Sequence, residues 1–222
     1  MTPAEAWFIR HAESASNAGL PTAAPGDTPL TAAGQAAAQA YAASFPAAPD
    51  RIVASPFLRS RQSAAPLAGR FPAAPLEIWP VQEFTYLGPE HWAGTTAAER
   101  MPANEAYWRR GDPRAVDGPG AESFAGLLDR LASALERLAP LPGLSAVFTH
   151  GNAMRGLLCL LLLGADAARA DLDRSMALMS GLRLGLPIAN LAALRVRFTP
   201  GGGVRLEGFP LRDSSSRAEC SP

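Results

Sequence analysis

The chain has 222 residues, 48% of them hydrophobic and 18% charged, with 20 basic and 20 acidic side chains. That length buries a sizeable core and favours one domain with room for an inserted segment; the zero net charge provides no general attraction to nucleic acid or a membrane surface. Every basic residue is an arginine, which excludes lysine chemistry.

Cys159 lies in an apolar run and Cys220 in a polar tail, a spacing that suits neither a disulfide framework nor a metal site. The N-terminal residues carry no basic-then-apolar leader. The apolar run 156–164 is too short to span a membrane and reads as a buried helix. The chain is therefore expected to be soluble and cytoplasmic.

The first apolar run, 6–11, predicts a strand. Residues 29–45 predict a helix with Thr31 as its N-cap, and 51–55 a second strand. The helix predicted over 57–71 is expected to be interrupted near Pro66. Residues 75–79 predict a third strand. The stretch 80–119 has no clean periodicity but holds Phe84, Tyr86, Trp92, Tyr107 and Trp108. Apolar residues at helical spacing predict a helix over 121–139. A strand at 144–150 and a helix at 151–164 follow. Segments 187–198 and 203–209 predict two closing strands about the TPGGG turn, and 212–222 reads as a disordered tail. Strands alternating with helices predict an α/β fold: a three-layer α/β/α sandwich around a mostly parallel sheet. The single domain is expected over 1–211, with 84–119 as an inserted cap.

Three of these strands lead into candidate catalytic residues. His11 follows the first, Arg59 lies one helical turn beyond the second, and His150 ends the strand at 144–150. Ligand sites in open α/β sheets gather at the carboxyl ends of strands, so Arg10, His11, Arg59 and His150 are expected to converge. Arginine forks match the oxygens of a phosphate. The helix N-termini after two of the strands are expected to add amide donors. Glu83 follows the third strand within reach of the same point. A histidine flanked by a permanent cation is disfavoured as imidazolium, which leaves a neutral, nucleophilic ring. This set describes a phosphoryl-transfer site with a histidine nucleophile.

The motifs carry a resemblance. RHAESASN, from Arg10 to Asn17, resembles the R-H-G-E-(S/T)-x-x-N motif of the histidine phosphatase superfamily, the phosphoglycerate-mutase-like family. PLTAAGQAAA, SPFLRSRQSA, WAGTTAAE, GAESF and FTHGNAMRGLL resemble further segments of that family in the same order along nearly the whole chain. The resemblance implies that His11 becomes phosphorylated, while Arg10, Arg59 and His150 hold the phosphoryl oxygens and Asn17 adds a donor. It further implies that Glu83 protonates the leaving oxygen and then activates water. No metal or other cofactor is implied, and the expected partner is a small phosphorylated metabolite.

Departures from the pattern carry expectations of their own. Ala12 replaces a glycine and would be strained if the backbone there needed a positive φ. Ala93 replaces a glutamate, GAESF holds an extra alanine, and Glu83 is spaced from Gly88 more widely than the family's acid loop. Bland roles are expected for Arg61 (solvated), His91 (surface or cap) and Glu122 (helix first turn). The runner-up activity is a mutase. The mutase branch carries a basic stretch after the acid glutamate, and EFTYLGPEHWAG lacks arginine, which favours hydrolysis. The short protein-directed phosphatases of the family lack so long an insert. A non-catalytic phosphate-binding module on the same fold is the third alternative.

Overall fold

The computed structural model describes residues 3–199 and 203–208. Six strands form one sheet: β1 (Ala4–Arg10), β2 (Arg51–Ala54), β3 (Leu76–Ile78), β4 (Gly143–Thr149), β5 (Ala193–Phe198) and β6 (Val204–Gly208). Their order is β3-β2-β4-β1-β5-β6. The first four strands run parallel, β5 pairs antiparallel with β1, and β6 pairs antiparallel with β5. The helices are α1 (Ala32–Ser44), α2 (Leu58–Arg70), α3 (Met101–Arg110), α4 (Phe124–Leu138), α5 (Gly151–Leu163), α6 (Ala165–Ala170) and α7 (Leu172–Gly185).

The central strands β1, β2 and β4 are apolar on both faces because both are covered. Trp7 and Ile9 of β1 pack with Ile52, Phe148, Ala42, Phe45 and Leu67, on the side of α1 and α2. Ala6 and Phe8, one residue out of phase, pack with Val53, Val147, Leu128, Leu157 and Met179, on the side of α4, α5 and α7. The period-2 alternation of a strand thus divides the core into two layers about the sheet. This is the expected three-layer sandwich.

Local chemistry explains the element ends. Thr31 caps α1 by accepting from the Gly34 amide at 2.9 Å, and Ser123 caps α4 by accepting from the Gly126 amide at 3.1 Å. Gly34 has a second reason to be glycine. A Cβ there would lie 2.0 Å from the Glu13 carbonyl oxygen, so any side chain would separate α1 from the loop that follows β1.

Two expectations need correction, and the condition attached to Ala12 is not met. The helix α2 runs through Pro66 without a break. Proline removes one helical amide bond, and the turns on either side carry the helix past it. Residues 187–192 are not strand; the chain turns through Leu191 at φ 62 before β5 begins. Ala12 is not among the positive-φ residues and is fully buried beside Leu30 and Ala38, so it carries no strain. The segment 84–119 contains a 3-10 turn at Pro89–Trp92 and the helix α3. Phe84, Tyr86, Tyr107 and Trp108 belong to the main core, with Phe84 and Phe124 ring centroids 6.2 Å apart. The helices α6 and α7 had no counterpart in the sequence reading. No described helix is long and apolar enough to cross a membrane. The tail expected over 212–222 lies outside the described residues.

Candidate active site

The carboxyl ends of β1 and β4 are neighbours in the sheet, with Arg10 paired to Thr149. That register places His11 and His150, each the next residue, side by side. Their ring centroids are 5.0 Å apart, and the amide of His11 donates to the Thr149 carbonyl at 2.9 Å. The first turn of α2 brings Arg59 to the same point.

Both ring nitrogens of His11 have assignable roles. Nδ1 lies 2.7 Å from the Ala12 carbonyl oxygen, which only accepts, so Nδ1 carries the proton. Nε2 accepts from Arg59 Nε at 3.1 Å, and a guanidinium only donates, so Nε2 holds the lone pair. The neutral ring is also favoured electrostatically. Burial, reinforced by Arg59 and Arg10, pushes the His11 imidazole well below its ordinary range. Burial likewise lowers His150, with Arg59 and His11 adding to it. Arg59 is itself pulled down to about 10 by burial, opposed by the nearby charge of Glu83, and remains a cation at neutral pH.

His150 bonds through Nε2 to Ser55 Oγ at 2.7 Å. Its Nδ1 is buried without a partner, as is Arg10 Nε. Buried polar nitrogens without partners are costly, and two of them beside His11 suit the oxygens of an anion. Arg10 is held by Nη1 donating to the Ile188 carbonyl.

Glu83 faces the same space. Its Oε1 accepts from the amides of Phe84 (2.9 Å), Asn152 (3.0 Å) and Ala153 (3.2 Å), while Oε2 has only a 3.4 Å contact with the Asn152 amide. At α5 the carboxylate of Glu83 takes the Asn152 and Ala153 amides, and at α2 the Leu58 amide donates to the Gly26 carbonyl at 2.7 Å, so these helix N-terminal N–H groups already have partners.

Asn17 lies at the rim. Its Oδ1 accepts from the Ser14 amide (3.2 Å), Ser14 Oγ (3.0 Å) and Asn190 Nδ2 (3.3 Å), so its own NH2 is left to donate. All six residues singled out from the sequence therefore gather in one place. Five of them line a cavity of about 310 Å3, and His150 lies buried beside it. Of the residues expected to be bland, Arg61 and His91 are exposed. Glu122 is more than a helix charge: it forms a two-bond pair with Arg130, at 2.5 and 2.9 Å.

Supporting residues were missed. Ser63 Oγ accepts from the Ala12 amide at 2.9 Å and donates to the Arg59 carbonyl at 2.7 Å, tying the histidine loop to the arginine helix. Asn190 Nδ2 donates to the His11 carbonyl at 2.8 Å. Arg155 Nη1 donates to Asn152 Oδ1 at 3.1 Å behind Glu83. Polar residues at Ser63 and Arg155, one turn beyond Arg59 and His150, were the available signal. Asn190 gave none, because its segment reads as strand. No group of three or more His, Cys, Asp or Glu that could hold a metal ion occurs among the described residues.

Comparison with known proteins gives the class. Residues 6–183 match the model of the histidine phosphatase superfamily, branch 1, and the chain belongs to that family. Among solved structures it is similar to a phosphoserine phosphatase mutant from Entamoeba histolytica in complex with phosphoserine, at 20% identity and TM-score 0.67, covering 92% of this chain and 95% of that one. It is similar to a mycobacterial glucosyl-3-phosphoglycerate phosphatase, at 22% identity and TM-score 0.66, over 91% and 96%. It is also similar to the alpha-ribazole phosphatase from Shigella flexneri, at 19% identity and TM-score 0.68, over 92% and 95%. No curated protein matches the chain.

Proposed function

We propose that the protein is a phosphatase that hydrolyses small phosphomonoesters in two steps through a phosphohistidine at His11. The observation that carries this reading is the fixed tautomer of His11, with its Nε2 lone pair presented between arginines in a cavity that also holds Glu83. Nε2 attacks phosphorus as the bond to the leaving oxygen breaks, and Glu83 gives that oxygen a proton. Because Oε1 is occupied by three amides, Oε2 is the oxygen that carries the proton. Water then gives a proton back to Glu83 and attacks phosphorus. The P–N bond breaks, releasing phosphate and restoring the lone pair.

Arg10, Arg59 and His150 hold the three phosphoryl oxygens, with Asn17 donating from the rim. These side chains supply the positive charge, so a metal ion is not needed. The cavity of about 310 Å3 fits a small ligand. The phosphatase names of the three similar structures support the same reading. A mutase is disfavoured because residues 84–94, directly after Glu83, contain no arginine. A binding module is disfavoured because every group the two steps require is present.

The test is phosphate release from p-nitrophenyl phosphate and a panel of small phosphomonoesters with a chelator present, beside an assay for mutase activity primed with 2,3-bisphosphoglycerate. Release that survives chelation is expected. Phosphate transfer without net release, or activity restored only by added metal, would contradict the reading.

A further inference from the structure

The cavity is also lined by groups that the two chemical steps do not use. Arg100 and Asn104 both line it. They are one turn apart at the start of α3, joined by the Asn104 amide donating to the Arg100 carbonyl at 2.9 Å, so their side chains share a face.

Arg100 is anchored through a single nitrogen. Its Nη1 donates to the Thr95 carbonyl (2.7 Å) and to Thr95 Oγ1 (2.9 Å). Thr95 is itself pinned to the loop after β1, since its carbonyl accepts from the Thr22 amide at 3.1 Å. Among the described residues nothing accepts from Nε or Nη2 of Arg100. The guanidinium is thus held in place with two donors uncommitted. Asn104 supplies the complementary function: its Oδ1 is buried with no partner, an acceptor waiting for a donor.

Charge sharpens the picture. Glu83 is the one carboxylate among the lining residues, and its Oε1 is taken up by amides. Arg10 and Arg59 belong to the phosphoryl end, which makes Arg100 the remaining lining cation. A fixed arginine fork in a concave site matches a planar carboxylate better than a neutral alcohol.

We infer that Arg100 and Asn104 form a second recognition point, and that the favoured substrates carry a carboxylate next to a hydroxyl or ammonium group on the alcohol side of the phosphate ester. Arg100 reads the carboxylate, and Asn104 Oδ1 accepts from the adjacent O–H or N–H. This deepens the phosphatase reading and rests on it.

The experiment compares substrates that differ in one group. 3-Phosphoglycerate and glycerol 3-phosphate differ by the carboxylate, as do O-phosphoserine and phosphoethanolamine; the first pair carries a hydroxyl and the second an ammonium. The readout is the ratio of kcat/KM within each pair. In the native protein the ratio should favour the carboxylate, and Arg100→Gln should reduce it by about 10- to 100-fold, the usual range for a hydrogen bond to a charged group. Arg100→Lys keeps the charge without the fork and should reduce it less, which guards against a cap that fails to fold in Arg100→Gln. Asn104→Leu should weaken 3-phosphoglycerate relative to its analogue lacking the hydroxyl. Ratios near one in the native protein, or ratios unmoved by either Arg100 variant, overturn the inference. p-Nitrophenyl phosphate, which has no carboxylate, separates the two failures: its hydrolysis leaves the phosphatase reading standing when the ratios fail, and its inertness sinks that reading first.

Discussion

Arg59 donates from Nε to Nε2 of His11 across 3.1 Å, while its Nη1 donates to the Pro25 carbonyl at 2.6 Å. The group best placed to bind a phosphoryl oxygen therefore also holds the nucleophile's lone pair. A nitrogen that is accepting a hydrogen bond cannot attack phosphorus with the same pair. Substrate binding must turn the Arg59 donor from His11 to oxygen, so the bond that orders the ring is exchanged for the one that stabilises the transition state.

Arg59→Ala should lower kcat/KM by at least about 10²–10³-fold, the range found when one preorganised donor is removed. It should also raise the pKa of His11, because a nearby cation that disfavours the imidazolium has gone. A proton NMR titration of the imidazole reads this directly. A His11 resonance that titrates at the same pH in both proteins would show that Arg59 does not hold the ring neutral.

Glu83→Gln keeps the shape and removes the proton donor. An alkoxide leaving group needs that proton far more than nitrophenolate does. General acid catalysis contributes about 10²–10⁴-fold, so kcat/KM should fall much further for an alkyl phosphate than for p-nitrophenyl phosphate. Equal losses would show that Glu83 is not the leaving-group acid, although it is the one carboxylate lining the cavity.

Stability should fall on acidification. His11 and His150 are both held well below 6.5 in the folded chain. As pH drops through 6.5 the unfolded chain takes up two protons that the folded chain does not, so stability is fully present above that pH and lost below it. The slope approaches about 1.4 kcal/mol per pH unit for each histidine. The Tm should therefore decline between pH 7.5 and 5.5, and the decline should flatten in a His11→Gln, His150→Gln double variant. A Tm that is constant across this window contradicts the burial of two neutral histidines.

The site was legible where sequence neighbours do the positioning. His11 and His150 each follow a strand, and adjacent parallel strands put consecutive positions side by side. Arg59 follows from the first turn of α2. What stayed hidden depends on distant pairing. Asn190 reaches the His11 carbonyl across 179 positions, and its segment imitates a strand because PIANLA is apolar. Residues 165–185 form two short helices whose alternating apolar and charged residues gave no helical stripe. Glu83 is spaced from Gly88 more widely than the family's acid loop, yet the amides of Asn152 and Ala153 fix its carboxylate at the start of α5. A hydrogen bond between a side chain and a remote helix end leaves no local pattern.

The most direct measurement of the central claim is to trap the phosphoenzyme. Rapid acid-free quenching of the protein with 32P-labelled phosphomonoester, followed by digestion and peptide mapping, should find phosphate that is labile in acid and stable in alkali, on the peptide containing His11. His11→Ala should carry no such label. Label on another residue, or single-turnover hydrolysis of a good substrate with no label on His11 at any time point, would contradict the account.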